Sequence, residues 1–253
     1  MSVLYRVRLL TWLPTILTSV PPISYNGLLS VVRTSSEQIA RATLGLVVMS
    51  AKLEAMAVSL TLGQVPLLWK VVSFPSIKPL GAFTKDFLMR LEMLTSWYDQ
   101  GPPSVFWLPG FFFMQSFTSA SKQNFARKEN LSLDELHLSF EVTTQMTPDG
   151  MVKPPKGVLV TGLFLEGASW DMGKGAIAES EPTILTTAMP VIWAKPTHMS
   201  EHVIADTDYM CPLYVHGARR GRNVYCYDIN LASNVSPNHW VKRGAALLLQ
   251  VLA

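Results

Sequence analysis

The hydrophobic period of this protein changes near Asn130, and that change limits the folds open to it. Upstream, apolar residues recur every three or four positions, as along a helix face; downstream they alternate, as along a strand. Leu28, Leu29, Val32, Ile39, Leu46, Leu53 and Ala57 stay near one helical face across residues 23–62, with Gly45 marking a weak point or break. Residues 63–81 contain Pro66, Pro75 and Pro79 and read as a connection. Leu80, Phe83, Phe87, Leu91, Leu94 and Tyr98 predict a second helix, stopped by Gly101-Pro102-Pro103. A third is expected over residues 111–128. Phe113, Phe117, Ala120 and Phe125 would face inward, and Arg127 and Lys128 would complement the dipole in its last turn.

Beyond Asn130, Leu136, Leu138, Phe140 and Val142 alternate with His137, Ser139, Glu141 and Thr143, the pattern of a half-buried strand. Residues 158–165, 191–194, 213–216, 224–231 and 240–252 are further strand candidates between turns rich in Pro, Gly and Asn. Helices first and strands after define an α+β fold class: a helical N-terminal half packed on a C-terminal β-rich subdomain, barrel-like or a sandwich. The expected domains are an atypical N-terminus at 1–22, a helical part at 23–130 and the β subdomain at 131–253.

With 253 residues and 49% hydrophobic content, the sequence is able to bury one large core or two modest ones. Charged residues are only 15%, so much of the surface is neutral and part of it is expected to face other protein. A net charge of +3 with no basic stripe gives no reason to expect nucleic acid. Cys211 and Cys226 do not make a disulfide framework; they read as reduced, small apolar side chains on neighbouring strands in a reducing compartment. Residues 9–32 lack charge, but Pro14, Pro21 and Pro22 interrupt what a spanning helix of about 20 apolar residues would need, so no membrane partner is expected. Arg6 and Arg8 followed by an apolar run to Leu17 do have the form of a signal peptide, which stays open as an alternative.

Chemistry is hard to seat. No G-x-x-x-x-G-K-[ST] loop occurs, and in the nearest glycine cluster Lys174 is followed by Gly175, without a hydroxyl to hold magnesium. A G-x-S-x-G elbow is also missing. His198, His202, Asp206, Asp208, Cys211 and His216 form the best candidate metal set, yet Pro196 and loop-like surroundings favour a solvated polar loop. Glu129, Asp134, Glu135 and Glu141 read as solvated charges instead of an acid–base pair. Trp97, Trp107, Trp170, Trp193 and Trp240 read as core, since each lies in apolar sequence. Arg219, Arg220 and Arg222 are the only basic cluster. They fall in an expected hairpin turn, where they are either solvated or dock an acidic partner surface. No catalytic residue, cofactor or metal is assigned.

Longer blocks carry a family likeness. Leu46-Val47-Val48-Met49-Ser50, Val65-Pro66 with Trp69, and Phe74-Pro75-Ser76-Ile77-Lys78-Pro79-Leu80-Gly81 are followed in order by Phe106-Trp107-Leu108 and Gly110-Phe111-Phe112-Phe113. Gln123-Asn124-Phe125-Ala126-Arg127-Lys128, Gly162-Leu163-Phe164-Leu165-Glu166-Gly167-Ala168, Pro190-Val191-Ile192-Trp193, Cys211-Pro212-Leu213-Tyr214 and Arg243-Gly244-Ala245-Ala246-Leu247-Leu248 continue the series. Together they resemble the C-terminal region of dynein heavy chains, axonemal members above all. Residues 1–22 do not fit the upstream helix of that pattern, and Ser169 stands where a basic residue is common. Val224-Tyr225-Cys226-Tyr227-Asp228 departs from the family's hydroxyl-rich strand.

The resemblance implies a non-catalytic C-terminal region that packs on one face of a ring of ATPase modules and ends in a barrel-like β subdomain. It implies a structural or regulatory part in microtubule-based movement and ciliary motility. Implied partners are the ring modules and the intermediate, light intermediate and light chains, with the microtubule touched only indirectly. The implied locations are cytoplasm, cytoskeleton and cilium axoneme. The alternative is an independent protein- or ligand-binding β-barrel domain from a truncated gene; a metal-dependent hydrolase built on the His198 cluster is a third reading.

Overall fold

Helix caps explain how the N-terminal region is cut into pieces. In the computed structural model, which describes residues 22–199, 207–216 and 223–249, helix α1 spans Pro22–Thr43 and α2 spans Ala51–Thr61. Gly45 adopts φ +72°, a left-handed conformation that closes the end of α1, with Gly45 N–H donating to Ala42 O and Leu46 N–H to Arg41 O, both at 3.0 Å. Ser50 then caps α2, its Oγ accepting from Leu53 N–H. The break expected at Gly45 is therefore a short link between two helices. A single turn, α3 (Leu67–Lys70), follows Pro66, whose carbonyl accepts from the Trp69 and Lys70 amides. Helix α4 covers Leu80–Gln100 and stops at Gly101 (φ +88°).

The protein divides into two compact units between Gly101 and Pro102. In the first, the rings of Phe74, Phe83 and Phe87 cluster at 5.2–6.4 Å among buried Leu28, Leu53, Met56, Leu91 and Leu94. Arg90, one helical turn after Asp86 on α4, is fully buried in this cluster. Its Nε and Nη2 reach Asp86 Oδ2 at 3.2 and 3.1 Å, its Nη1 donates to Tyr25 Oη at 3.3 Å, and its guanidinium lies 3.8 Å from the centre of the Phe74 ring.

The second unit begins with β1 (Val105–Trp107) and helix α5 (Met114–Glu129). Phe117 and Ala120 face inward as expected, with Phe111 stacked on Phe117 at 4.2 Å and Phe106 tilted against it at 4.9 Å. Phe113 does not: it caps the helix in extended conformation and is exposed, while Met114 is buried, and Phe125 is only half-buried. Asn130 ends the helix in the left-handed region, φ 53°.

The remaining strands are β2 (Leu136–Val142), β3 (Val158–Thr161), β4 (Phe164–Glu166), β5 (Ser169–Asp171), β6 (Ala176–Ala178) and β7 (Thr186–Ala188). They continue with β8 (Ile192–His198), β9 (Tyr209–His216), β10 (Asn223–Leu231) and β11 (Ala246–Leu248). One sheet runs β1-β3-β8-β2, with β1 and β3 parallel. Another runs β10-β9-β11-β4-β7, with β9 and β11 parallel, and β5 and β6 form a hairpin.

The single run expected at 158–165 is split between the two larger sheets at Gly162. There φ is +93°, and a Cβ would lie about 2.5 Å from the Pro109 ring, so only glycine passes. The strand expected over 240–252 is likewise corrected. Helix α6 occupies Pro237–Arg243, started by Ser236-Pro237 and stopped by left-handed Gly244, and among the described residues of the segment only Ala246–Leu248 are strand.

Among the described residues no sheet closes on itself, so the expected barrel is not formed by hydrogen bonding. The edge strands β2 and β10 do come alongside each other. Phe140 stacks on Tyr227 there, centroids 5.3 Å apart, where a ladder would otherwise run.

Candidate functional site

The residues singled out for chemistry do not assemble. No group of three or more His, Cys, Asp or Glu that could hold a metal ion occurs among the described residues. Of the metal candidates, His202 and Asp206 lie outside the described residues, as does the side chain of His216. Asp208 accepts from Asn230 Nδ2 at 2.9 Å, and Cys211 is sealed inside β9, where burial pushes its thiol well up, the opposite of what a thiolate ligand needs. Glu141 pairs with Lys195 across β2 and β8 at 2.9 Å, while Glu129 ends α5 and Asp134 and Glu135 lie in the turn before β2.

Cys211 and Cys226 stand on the paired strands β9 and β10 as free thiols, with Cys226 at a bulge between Tyr225 and Tyr227. Trp97 and Trp240 are buried; Trp107, Trp170 and Trp193 are half-buried. Arg219, Arg220 and Arg222 fall in the connection between β9 and β10, outside the described residues. No helix among the described residues is long and apolar enough to cross a membrane. A shallow depression of about 490 Å³ beside the end of α5 is lined by Gln123, Ala126, Arg127, Asn130, Leu131 and Leu133.

What does assemble is an apolar surface in the first unit. The link from α1 to α2 reads Leu44-Gly45-Leu46-Val47-Val48-Met49 and is pinned at both ends by the caps, leaving its side chains no core to enter. Val48 is 87% exposed, Leu44 74% and Leu46 66%, so the expected place of Leu46 on the buried face is corrected. Helix α2 continues the surface: Leu53 and Met56 face the core, while Ala51, Ala55, Val58 and Leu62 share the opposite, exposed side. Spacings of three and four keep those four in line, so α2 is apolar on two faces. Leu67 and Val71, at 74% and 76% exposed, add to the total along α3.

Such a helix fits between two layers of protein, and exposed apolar area of this kind marks an interaction site. The signal was in the sequence: the stretch from Leu44 to Met49 has no charge and is too rich in large apolar residues for a solvated turn. One helical stripe drawn through residues 23–62 concealed it.

Residues 22–249 match the family described as the C-terminal domain of the dynein heavy chain. Dynein axonemal heavy chain 12 of Homo sapiens is 42% identical over 234 residues, covering 90% of this protein and 8% of the relative. Dynein axonemal heavy chain 3 of Mus musculus is 41% identical over 236 residues, 90% of this protein and 6% of the relative. Dynein axonemal heavy chain 1 of Homo sapiens is 40% identical over 234 residues, 89% of this protein and 5% of the relative. The sequence thus spans 5–8% of the length of these curated relatives.

Proposed function

The protein belongs to the family of dynein heavy-chain domains located at the C-terminus, and we propose that it serves as the non-catalytic C-terminal region of a dynein heavy chain, a structural and regulatory part of a microtubule-based motor acting in ciliary motility. It is not itself the ATPase, since the matched region is distinct from the modules that hydrolyse nucleotide. The observation that carries the partner side of this reading is the two-faced helix α2 with its Leu44–Met49 link.

The partners we propose are the ring ATPase modules of the heavy chain, seated on that surface. The intermediate, light intermediate and light chains belong to the same assembly, and the microtubule is reached only through it. The proposed locations are cytoplasm, cytoskeleton and the cilium axoneme, in keeping with the axonemal relatives. Two finer points belong to the same proposal. Arg219, Arg220 and Arg222 contact an acidic partner surface, supported by their place in the β9–β10 connection. The β-rich unit is barrel-like, supported by the approach of β2 to β10.

Size-exclusion chromatography with light scattering tests the reading. Residues 1–253 alone are expected to self-associate through the apolar surface, and to become monodisperse when joined to the region that precedes the matched domain in the human relative. If a few hundred Å² is left uncovered, about 25 cal/mol per Å² gives several kcal/mol of driving force. A monodisperse, cooperatively melting monomer of 1–253 would overturn the partner reading.

A further inference from the structure

Helix α1 meets its neighbours through two buried polar contacts, set among apolar contacts that many side chains could supply. Near its start, Tyr25 Oη accepts from Arg90 Nη1 on α4; Arg90 is itself fully buried and held in plane by Asp86. Lys78 Nζ approaches the other carboxylate oxygen of Asp86 at 3.9 Å. Further along, Ser35 Oγ accepts from Trp69 Nε1 of α3 at 3.0 Å, a buried bond, while donating to Val31 O at 2.6 Å. A buried ion pair adds little net stability over a well-packed apolar substitute, so its value lies in what it refuses to pair with.

The sequence shows what would be refused. If α1 slid by four residues, Leu29 or Pro21 would take the place of Tyr25, and Ile39 or Val31 the place of Ser35. None of the four offers a side-chain hydrogen-bonding group, so Arg90 would keep Asp86 but lose the Tyr25 acceptor, and the indole N–H would lose Ser35 Oγ, both inside the core. Leu28 and the Phe74, Phe83 and Phe87 rings impose no comparable demand, because apolar contacts tolerate exchange.

We propose that the Arg90–Tyr25 and Trp69–Ser35 bonds are two register pins that fix α1 along its axis and thereby hold the Leu44–Met49 link in one position. A slip of one turn would carry that link by about 5.4 Å. The positional consequence rests on reading the link as a partner surface; the register itself does not.

The test is the double substitution Tyr25→Phe with Ser35→Ala, which deletes one oxygen from each contact and keeps the packing. Spin labels are placed at exposed Gln38 on α1 and exposed Lys85 on α4, in residues 1–253 with Cys211→Ala and Cys226→Ser. The unsubstituted pins should give one narrow distance distribution. The double variant should keep its helical circular dichroism and acquire a second population shifted by about one turn, ~5 Å.

A single unchanged distance in a folded double variant overturns the proposal. So does loss of helical signal in that variant, which would make the two oxygens supports of stability rather than of register. Asp86→Leu with Arg90→Met is the second variant: retained helicity with a broadened distribution supports the proposal, and retained helicity with a narrow one overturns it. Doubly labelled protein is diluted into unlabelled protein, so self-association, the readout of the partner surface, adds no distances between molecules and the two readings can fail separately.

Discussion

The two units solve the problem of a core in opposite ways. The first buries a small aromatic nucleus around a fully enclosed arginine and leaves large apolar side chains on two of its helices in the open. The second spreads its core over strands distant in sequence, and Leu165, Leu213 and Leu247, adjacent in the middle of one sheet, are all fully buried. Pairing between distant segments buries the central residues of a ladder even where its edge strands β2 and β10 stay partly open, whereas a short helical layer can remain half a sandwich until something covers it. The difference implies that the second unit is stable by its own contacts and that the first depends on a few residues and on a neighbour.

The harshest test of that contrast is Arg90→Ala. It leaves Asp86 buried with only the distant Lys78 to answer it, and should cost about 3–5 kcal/mol, lost from the first unit. Segment-resolved hydrogen exchange should show α1 and α4 losing protection while β9 and β11 keep theirs. Equal loss in both units would erase the distinction.

Leu165→Ala is the converse probe and should cost about 2–5 kcal/mol, read as a lower urea midpoint for the strands. A change under about 0.5 kcal/mol, typical of surface sites, would mean the sheet is not the core it looks to be.

Alkali should separate the units further. Burial pushes Tyr209 up to about 12 and raises Cys211 and Tyr227 as well, all in the second unit; in the first, burial raises Tyr25. These groups hold their protons more tightly folded than unfolded. Their contribution is complete below the ordinary tyrosine and thiol range and falls as pH rises from about 9 towards 12, because the unfolded state ionises first. Urea melts at stepped pH should show the strands weakening more than the helices over that window. Flat stability across it would refute the burial of the three groups in the second unit.

Phe140→Ala should cost about 1–2 kcal/mol, less than a sealed core phenylalanine, because the ring is half-buried and its main partner is Tyr227. Glu141→Ala, which removes a partly exposed ion pair with Lys195, should stay below about 1 kcal/mol. The smallest effect on folding is expected from Val48→Ser, within about 0.5 kcal/mol, together with less self-association. A large loss of stability there would mean that the link is packed after all.

Where sequence alone succeeded, one physical signal dominated. Helix α4 shows it: a stripe from Leu80 to Leu94 closed by Gly101-Pro102-Pro103, although its last buried member is Trp97 and not the expected Tyr98, which is exposed. The same stripe hid Asp86 and Arg90, since charged residues one turn apart read as a solvated pair until the segments packed above them are placed. Residues 240–252 failed because an apolar run this short suits either period, and the stop signal in Lys242-Arg243-Gly244 was outweighed by the leucines that follow. Strands β5, β6 and β7, three residues each, are too short to show alternation at all. The surface at Leu44–Met49 could have been read from its lack of charge, had the break expected at Gly45 also been used to end the apolar stripe there.

Strand β11 has a consequence for the order of assembly. It lies between β9 and β4, although both precede it in sequence, and it contributes only Ala246–Leu248. The β9–β10 hairpin and the β4–β7 pair can each form as soon as their own residues are free, yet they share no ladder until those three residues slot between them. During synthesis at about 5–20 residues per second, two half-sheets with open edges must therefore wait for a keystone made after both. The interval is when the nascent protein is most exposed to wrong edge-to-edge pairing, and it makes the residues around Ala246 the ones whose arrival commits the second unit to its final form.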